Sequence, residues 1–182
     1  HVDLADRILP GYDFIGDILT ANDGDGRDPD ASDPGDWDTQ ADIDGPFRGE
    51  GCSVENSSWH GTNTASIIAA DSNNGSYITG INWSARVLPV RVLGKCGGFD
   101  SDIQAGMLWA AGAYTVQELK DLNLPTNPTP AQVLNMSLGG VATCGSYASI
   151  VPRVVAKGAV FVLSAGKSSG HAVRSQANSP AV

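Results

Sequence analysis

His60 is the residue best suited to chemistry in this sequence. It stands in Trp59-His60-Gly61-Thr62 and opens the Ala/Ile-rich run His60-Gly-Thr-Asn-Thr-Ala-Ser-Ile-Ile-Ala-Ala. An imidazole ionises near neutrality, at about pH 6.5, so it can take and return a proton. The glycine beside it admits a second backbone. Two stretches of small residues, Ser137-Leu138-Gly139-Gly140 and Ser164-Ala165-Gly166-Lys167, each follow an apolar run. Loops of that kind at strand ends let a ligand's backbone approach. A third cluster is acidic: Asp23-Gly-Asp25-Gly-Arg-Asp28, with Asp30, Asp33 and Asp36 behind it. Calcium needs several oxygen ligands at once, and glycine-jointed aspartates supply them. The loop begins like an EF-hand loop but lacks that motif's closing glutamate and flanking helices. The competing reading is a solvated acidic loop; repulsion among so many carboxylates favours a bound cation.

The elements that would position these groups follow from periodicity and punctuation. Pro10-Gly11 is a turn before a short strand, Tyr12-Asp13-Phe14-Ile15. Residues 21–51 are too acidic and too rich in Gly and Pro to build a core, and read as one long loop. Ser57 or Ser58 can cap the helix that carries His60, with Ala65, Ile68 and Ala69 on its buried face. Residues 85–93 read as a strand, although Pro89 argues against a central position. Ser101-Asp-Ile-Gln104 reads as a capping box, followed by Ile103, Met107, Ala110 and Ala111 at helical spacing and a stop at Gly112. Residues 121–131, with three prolines, predict an exposed connection. Gln132–Met136 is a short strand. A helix with an apolar face at Ile150, Val151, Val154 and Val155 follows, kinked or delayed by Pro152. Ala159-Val-Phe-Val-Leu163 reads as a strand buried on both faces. Helix and strand alternate throughout, which predicts an α/β fold, a three-layer open sheet with mostly parallel strands.

The chain's 182 residues have the length of one domain, and 41% hydrophobic against 17% charged content is that of a globular protein. The net charge of −9 argues against nucleic acid as a partner. No apolar run reaches the ~18 residues of a membrane span, so no membrane partner is expected. Nothing in the sequence reports the oligomeric state. The first residue is His1, not Met, so the chain reads as a processed product or an excerpt. Its three cysteines, Cys52, Cys96 and Cys144, cannot all pair with one another, and none sits in the Cys-x-x-Cys spacing of a zinc site.

Taken in order, His60-Gly61-Thr62, Asn135-Met136-Ser137-Leu138-Gly139-Gly140, Ser164-Ala165-Gly166 and Asn178-Ser179-Pro180-Ala181 resemble the subtilisin-like serine proteases, the subtilases. Val90-Arg91-Val92-Leu93 fits the same family, and the acidic loop before His60 resembles secreted bacterial members with an aspartate-rich insertion. Each motif alone is weak; the ordered set covers nearly the whole chain. The resemblance implies a secreted serine endopeptidase acting on proteins or peptides. It makes His60 the general base that takes the proton of a serine hydroxyl attacking the scissile carbonyl. Ser137, Leu138 and Gly139 would pair with the substrate as an added strand. Gly139 and Gly140, with Ser164, Ala165 and Gly166, would wall the pocket for the residue before the cut. The family's Asp-Thr-Gly and Gly-Thr-Ser-Met-Ala motifs do not occur here, so residues 1–182 resemble the middle of a catalytic domain, without the N-terminal strand and the nucleophile segment.

Two departures from the family pattern stand out. Asn63 replaces a histidine, and Lys167 takes the place of the asparagine that donates to the oxyanion. Loss of that donor costs about 2.7–4 kcal/mol in a subtilisin, a relative by this resemblance. Both departures favour the alternative, a non-catalytic calcium- or peptide-binding module on the same fold. By resemblance, a second calcium site would use Asp13 and Asn74, with backbone carbonyls near Asp71, Ser76 and Ile78. Cys52 and Cys96 flank the histidine helix and are expected to pair in an oxidising compartment. Cys144 is expected to be the unpaired half of another bridge.

Overall fold

The computed structural model describes residues 1–140 and 144–164. Its backbone divides into two compact units, His1–Asp102 and Ile103–Val182. The first unit contains strand β1 (Tyr12–Asp13), helices α1 (Ile18–Ala21), α2 (Gln40–Asp44) and α3 (His60–Ala69), strand β2 (Val90–Arg91), and a 3-10 turn at Val2–Leu4. Helix α4 (Asp100–Ala110) starts at its end. β1 and β2 pair in parallel, with Tyr12 opposite Val90 and Asp13 opposite Arg91. Phe14 extends the ladder by donating to Arg91 O at 2.8 Å. The predicted strand over 85–93 is interrupted as its proline suggested: Val87 makes a bridge to Ile8, and Pro89 contributes only its carbonyl, to Tyr12 N at 3.2 Å. Phe14, Ile15, Ala21, Ala69 and Ala70 are fully buried.

The second unit has the simpler plan. After α4 come α5 (Val116–Asp121), β3 (Val133–Met136), a 3-10 turn at Cys144–Tyr147, α6 (Val151–Val155) and β4 (Val160–Leu163). β3 and β4 pair in parallel from Val133 opposite Val160 to Met136 opposite Leu163, with α6 in the crossover. Apolar side chains at Ile103, Met107, Leu108, Trp109, Leu134, Met136, Tyr147, Val151 and Val154 are buried. Pro152 sits in the first turn of α6, where its missing N–H has no helical partner to lose.

Several expectations need correction. α2 lies inside what the sequence presents as loop; Thr39 and Asp42 form its capping box. α4 begins at Asp100, so Ser101 is inside the helix and caps nothing. The connection over 121–131 is not wholly exposed: Leu124 and Asn127 are buried, and Asn127 Nδ2 donates to the carbonyls of Trp109 and Ala110 at 3.0 and 3.1 Å. Those carbonyls are the last of α4, which lack intrahelical donors. β4 is not buried on both faces, since Val160 is 59% and Val162 51% exposed.

Candidate functional site

His60 is the first residue of α3, so its position depends on how the helix begins. Trp59, at the N-cap, has φ 48° in the left-handed region and caps nothing with its side chain. A non-glycine residue there needs support from its surroundings. Ser58 supplies it. Its N–H and Oγ both donate to Asp36, at 2.6 and 2.5 Å, while its Oγ accepts from His60 N at 3.3 Å. Ser58 therefore anchors the turn to the acidic loop. The imidazole is exposed and has no hydrogen-bond partner among the described residues. It borders an open cleft of about 360 Å³ lined by Asp36, Glu55, Asn63, Leu93, Gly94 and Cys96 among others. The Cys52–Cys96 disulfide, with Cα atoms 5.4 Å apart, fixes one rim. It closes 44 residues of chain, which by loop entropy stabilises the fold by about 4 kcal/mol.

The acidic loop is organised around a guanidinium. Arg91 Nη1 donates to Asp13 Oδ2 at 2.5 Å and to Asp23 Oδ2 at 2.7 Å, and its Nη2 bonds the Ala21 carbonyl. Asp33 Oδ1 lies 3.9 Å from Nη2. Asp13 is fully buried, and burial raises its carboxyl to about 6 against the lowering effects of the Ile15 N–H and Arg91. The other aspartates proposed as ligands are occupied locally or exposed. Asp28 accepts from Asp30 N at 2.8 Å, Asp36 holds Ser58, and Asp25 is exposed with its carboxyl raised by Asp28. No group of three or more His, Cys, Asp or Glu side chains converges on a metal position among the described residues. The sequence missed that the loop carries its own cation, because Arg91 is distant in sequence and looks like an ordinary strand residue.

Asn74 is not near Asp13 in the hydrogen-bond network; its Nδ2 donates to Asp3 Oδ1 at 3.0 Å and its Oδ1 accepts from Ser76 N at 3.0 Å. Asp3 is 3% exposed, its carbonyl accepts from Asp71 N at 2.9 Å, and its Oδ2 is buried without a partner. A buried carboxylate oxygen with nothing to bond is costly unless a cation or proton meets it. Asp3 thus replaces Asp13 as the carboxylate beside Asn74. The sequence signal was an aspartate in a turn of otherwise apolar character, Val2-Asp3-Leu4.

In the second unit, Ser137, Leu138, Gly139 and Gly140 directly follow β3, and Ser164 directly follows β4. The Ser164 N–H donates to Met136 O at 3.2 Å, which places the two strand-end segments side by side. Ser137, Gly139, Gly140 and Ser164 are exposed, and Leu138 is half-buried. Asn135 Nδ2 donates to Ser137 Oγ at 3.1 Å. Ala165, Gly166 and Lys167, and the Asn178–Ala181 segment, lie outside the described residues, as does the side chain of Cys144.

Comparison with known proteins bears on this arrangement. The profile of the Subtilase family matches residues 1–182. The chain is similar to an extracellular basic protease of Dichelobacter nodosus, 44% identical over 178 residues that make 96% of this chain and 28% of that protein. It is equally similar, 44% over 167 residues, to an extracellular protease of Xanthomonas campestris pv. campestris, covering 91% of this chain and 27% of that one. A solved protease from Pseudoalteromonas arctica superposes with a TM-score of 0.79 at 43% identity, over 91% of this chain and 46% of its own. The chain thus spans less than half the length of each of these proteins.

Proposed function

The chain belongs to the subtilase family, with its α/β fold of parallel strands, and from that premise we propose that it is part of a secreted serine endopeptidase in which His60 is the general base. The observation that carries the reading is His60 itself. Its ring is exposed at the start of α3, in an open cleft, and makes no hydrogen bond among the described residues. In the proposed reaction the neutral imidazole takes the proton of a serine hydroxyl as the oxygen attacks the scissile carbonyl. The imidazolium then returns that proton to the leaving amine. No serine hydroxyl or carboxylate bonds the ring among the described residues, so in this reading both partners come from elsewhere in the protein. Ser137–Gly139 lie at a strand end, with Ser137 and Gly139 exposed, a position suited to strand addition by a substrate. In this reading Gly139, Gly140 and Ser164 would wall the pocket for the residue before the cut; Ala165, Gly166 and Lys167, which lie outside the described residues, keep only the roles that the sequence resemblance implies.

Calcium is proposed as a structural ion. Asp3 fits it by its unsatisfied Oδ2, with Asn74 and the loop over 71–78 beside it. Bound there, the ion would neutralise a buried carboxylate and hold the loop that follows α3. The acidic loop, with Asp23 and Asp33 already turned to Arg91 alongside Asp13 of β1, fits a cation less well.

The test is hydrolysis of a chromogenic peptide by the complete gene product containing residues 1–182, with and without a serine-reactive inhibitor. His60→Ala is expected to lower kcat by about 10⁶-fold, the size seen when the catalytic histidine of a subtilisin, a member of this family, is removed. Residues 1–182 alone are expected to be inactive. Hydrolysis that survives His60→Ala would remove the general-base assignment. A complete product that is inactive with every peptide tried would instead favour the second reading, a calcium- or peptide-binding module, to which Asn63 and Lys167 point.

A further inference from the structure

Glu55 occupies an unusual position. It lines the His60 cleft and also a neighbouring cleft of about 400 Å³ bordered by Trp37, Asp38, Thr39, Gln40, Val54 and Asn56. Its backbone is clamped on both sides: Glu55 N donates to Asp38 O at 3.1 Å and Asp38 N to Glu55 O at 3.0 Å. Asp38 in turn accepts from Cys96 N at 3.2 Å, next to the disulfide. The Glu55 carboxylate itself is exposed and makes no hydrogen bond or ion pair among the described residues.

The charge around it is one-sided. Asp36, Asp38 and Glu55 line the two clefts, and no lysine or arginine does. Asp36 is committed to Ser58. Asp38 is 2% exposed, and its Oδ1 is buried without a partner, which leaves an unused acceptor in the wall of the cleft it lines. Lys95, whose Nζ lies 5.2 Å from the Trp37 ring, is already paired with Asp42 at 2.8 Å. Trp37 and Val54 offer apolar walls of the kind that accept the methylene stem of a long cationic side chain.

We infer that Glu55 and the cleft it shares with Trp37 and Asp38 form a subsite for a basic side chain, lysine or arginine, of the peptide that reaches His60. This rests on the endopeptidase reading for the identity of the ligand as a substrate, but not for the charge preference. The ammonium or guanidinium pairs with the Glu55 carboxylate, with the unused Asp38 acceptor in the same wall. A glutamate at the same position meets like charge, so selectivity arises from attraction and repulsion together.

The experiment measures binding, so that its result is independent of catalysis. The complete gene product carrying His60→Ala is titrated with a fluorescent hexapeptide of alanines holding a single arginine, and with the same peptide holding glutamate. Each of the six positions is tried in turn, by anisotropy at physiological salt. At one position arginine is expected to bind at least about tenfold more tightly than glutamate, with Glu55→Gln bringing the ratio down at least about fivefold. Glu50→Gln, an exposed substitution outside both clefts, keeps the ratio and controls for net charge. Circular dichroism confirms that each variant is folded. No arginine preference at any position, or a preference that Glu55→Gln leaves intact, overturns the subsite. Loss of peptide hydrolysis by the unsubstituted protein, with the charge preference intact, would overturn the endopeptidase reading and leave the subsite standing.

Discussion

The two units solve the problem of stability with different interactions. In residues 1–102 secondary structure is sparse, and long segments are held by charge and covalent chemistry: Arg91 with Asp13 and Asp23, Arg27 with Asp102 at 2.5 Å, Lys95 with Asp42, and the Cys52–Cys96 bridge. In residues 103–182 the described part is an apolar helix and a β-α-β crossover around Trp109, Tyr147, Val151 and Val154. Polar contacts are directional, so they can fix an irregular loop beside His60 where helices would not fit. They also make the first unit dependent on pH and redox state, to which apolar packing is indifferent.

Arg91 is the sharpest place to break that contrast. Arg91→Met leaves the buried Asp13 carboxylate without its cation, and removing one partner of a buried pair costs about 3–5 kcal/mol. Urea unfolding should report that loss, and hydrogen exchange should localise it to residues 1–102. A variant as stable as the parent would mean that Asp13 carries a proton and Arg91 is dispensable. Replacing Cys52 and Cys96 together by serine is expected to cost about 4 kcal/mol from the regained freedom of the 44-residue loop. Exchange protection in α4 beyond residue 102, and in β3 and α6, should stay as it was. Equal losses in both units would show that the two unfold as one and that the contrast has no thermodynamic meaning.

The sequence revealed the regular parts of both units because their patterns are local. The unbroken apolar run over 159–163 encodes a strand, and the helical spacing of Ile103, Met107, Ala110 and Ala111 encodes a helix. His60 at a helix start was legible for the same reason. The acidic loop was not. Its order comes from a pairing 68 residues apart, Arg91 with Asp23, and from Asp36 reaching 22 residues forward to Ser58. No periodicity records a contact of that kind. Asp3 was missed because only its burial, with Oδ2 unsatisfied, distinguishes it from a surface aspartate. Glu55 was missed because its role lies in which clefts it borders. The exposed Val160 and Val162 show the converse, since composition alone cannot say whether an apolar strand is covered.

The pH dependence of the first unit tests the contrast at a smaller scale. The Asp13 carboxyl is raised to about 6 in the folded protein, from an ordinary value near 4 when unfolded. The folded state therefore binds its proton more tightly. The resulting stability is fully present below pH 4 and is lost as pH rises through 6, about 3 kcal/mol in all. Asp42 acts in the opposite direction: its hydrogen bond from Lys95 and those from Thr39 hold it down to about 2, so its contribution is present above pH 4 and fades as pH falls towards 2. Chemical denaturation between pH 4 and 7 should show the Asp13 effect, and Asp13→Asn should flatten it.

The smallest effect belongs to the second unit. Thr115 caps α5 by accepting from Glu118 N at 3.2 Å, while Glu118 Oε2 accepts from Thr115 N at 2.7 Å and from Arg153 at 2.7 Å. Thr115→Ala removes half of that box and is expected to cost about 1 kcal/mol. Because the bond lost joins a hydroxyl to a backbone amide, neither of which titrates, the cost should be the same at pH 5 and pH 7. Glu118, held below the ordinary range chiefly by the Thr115 N–H, stays ionised at both. A Thr115→Ala cost that varied across this range would place a titrating group in the packing of the second unit, and the division between a charge-held and an apolar half would then fail.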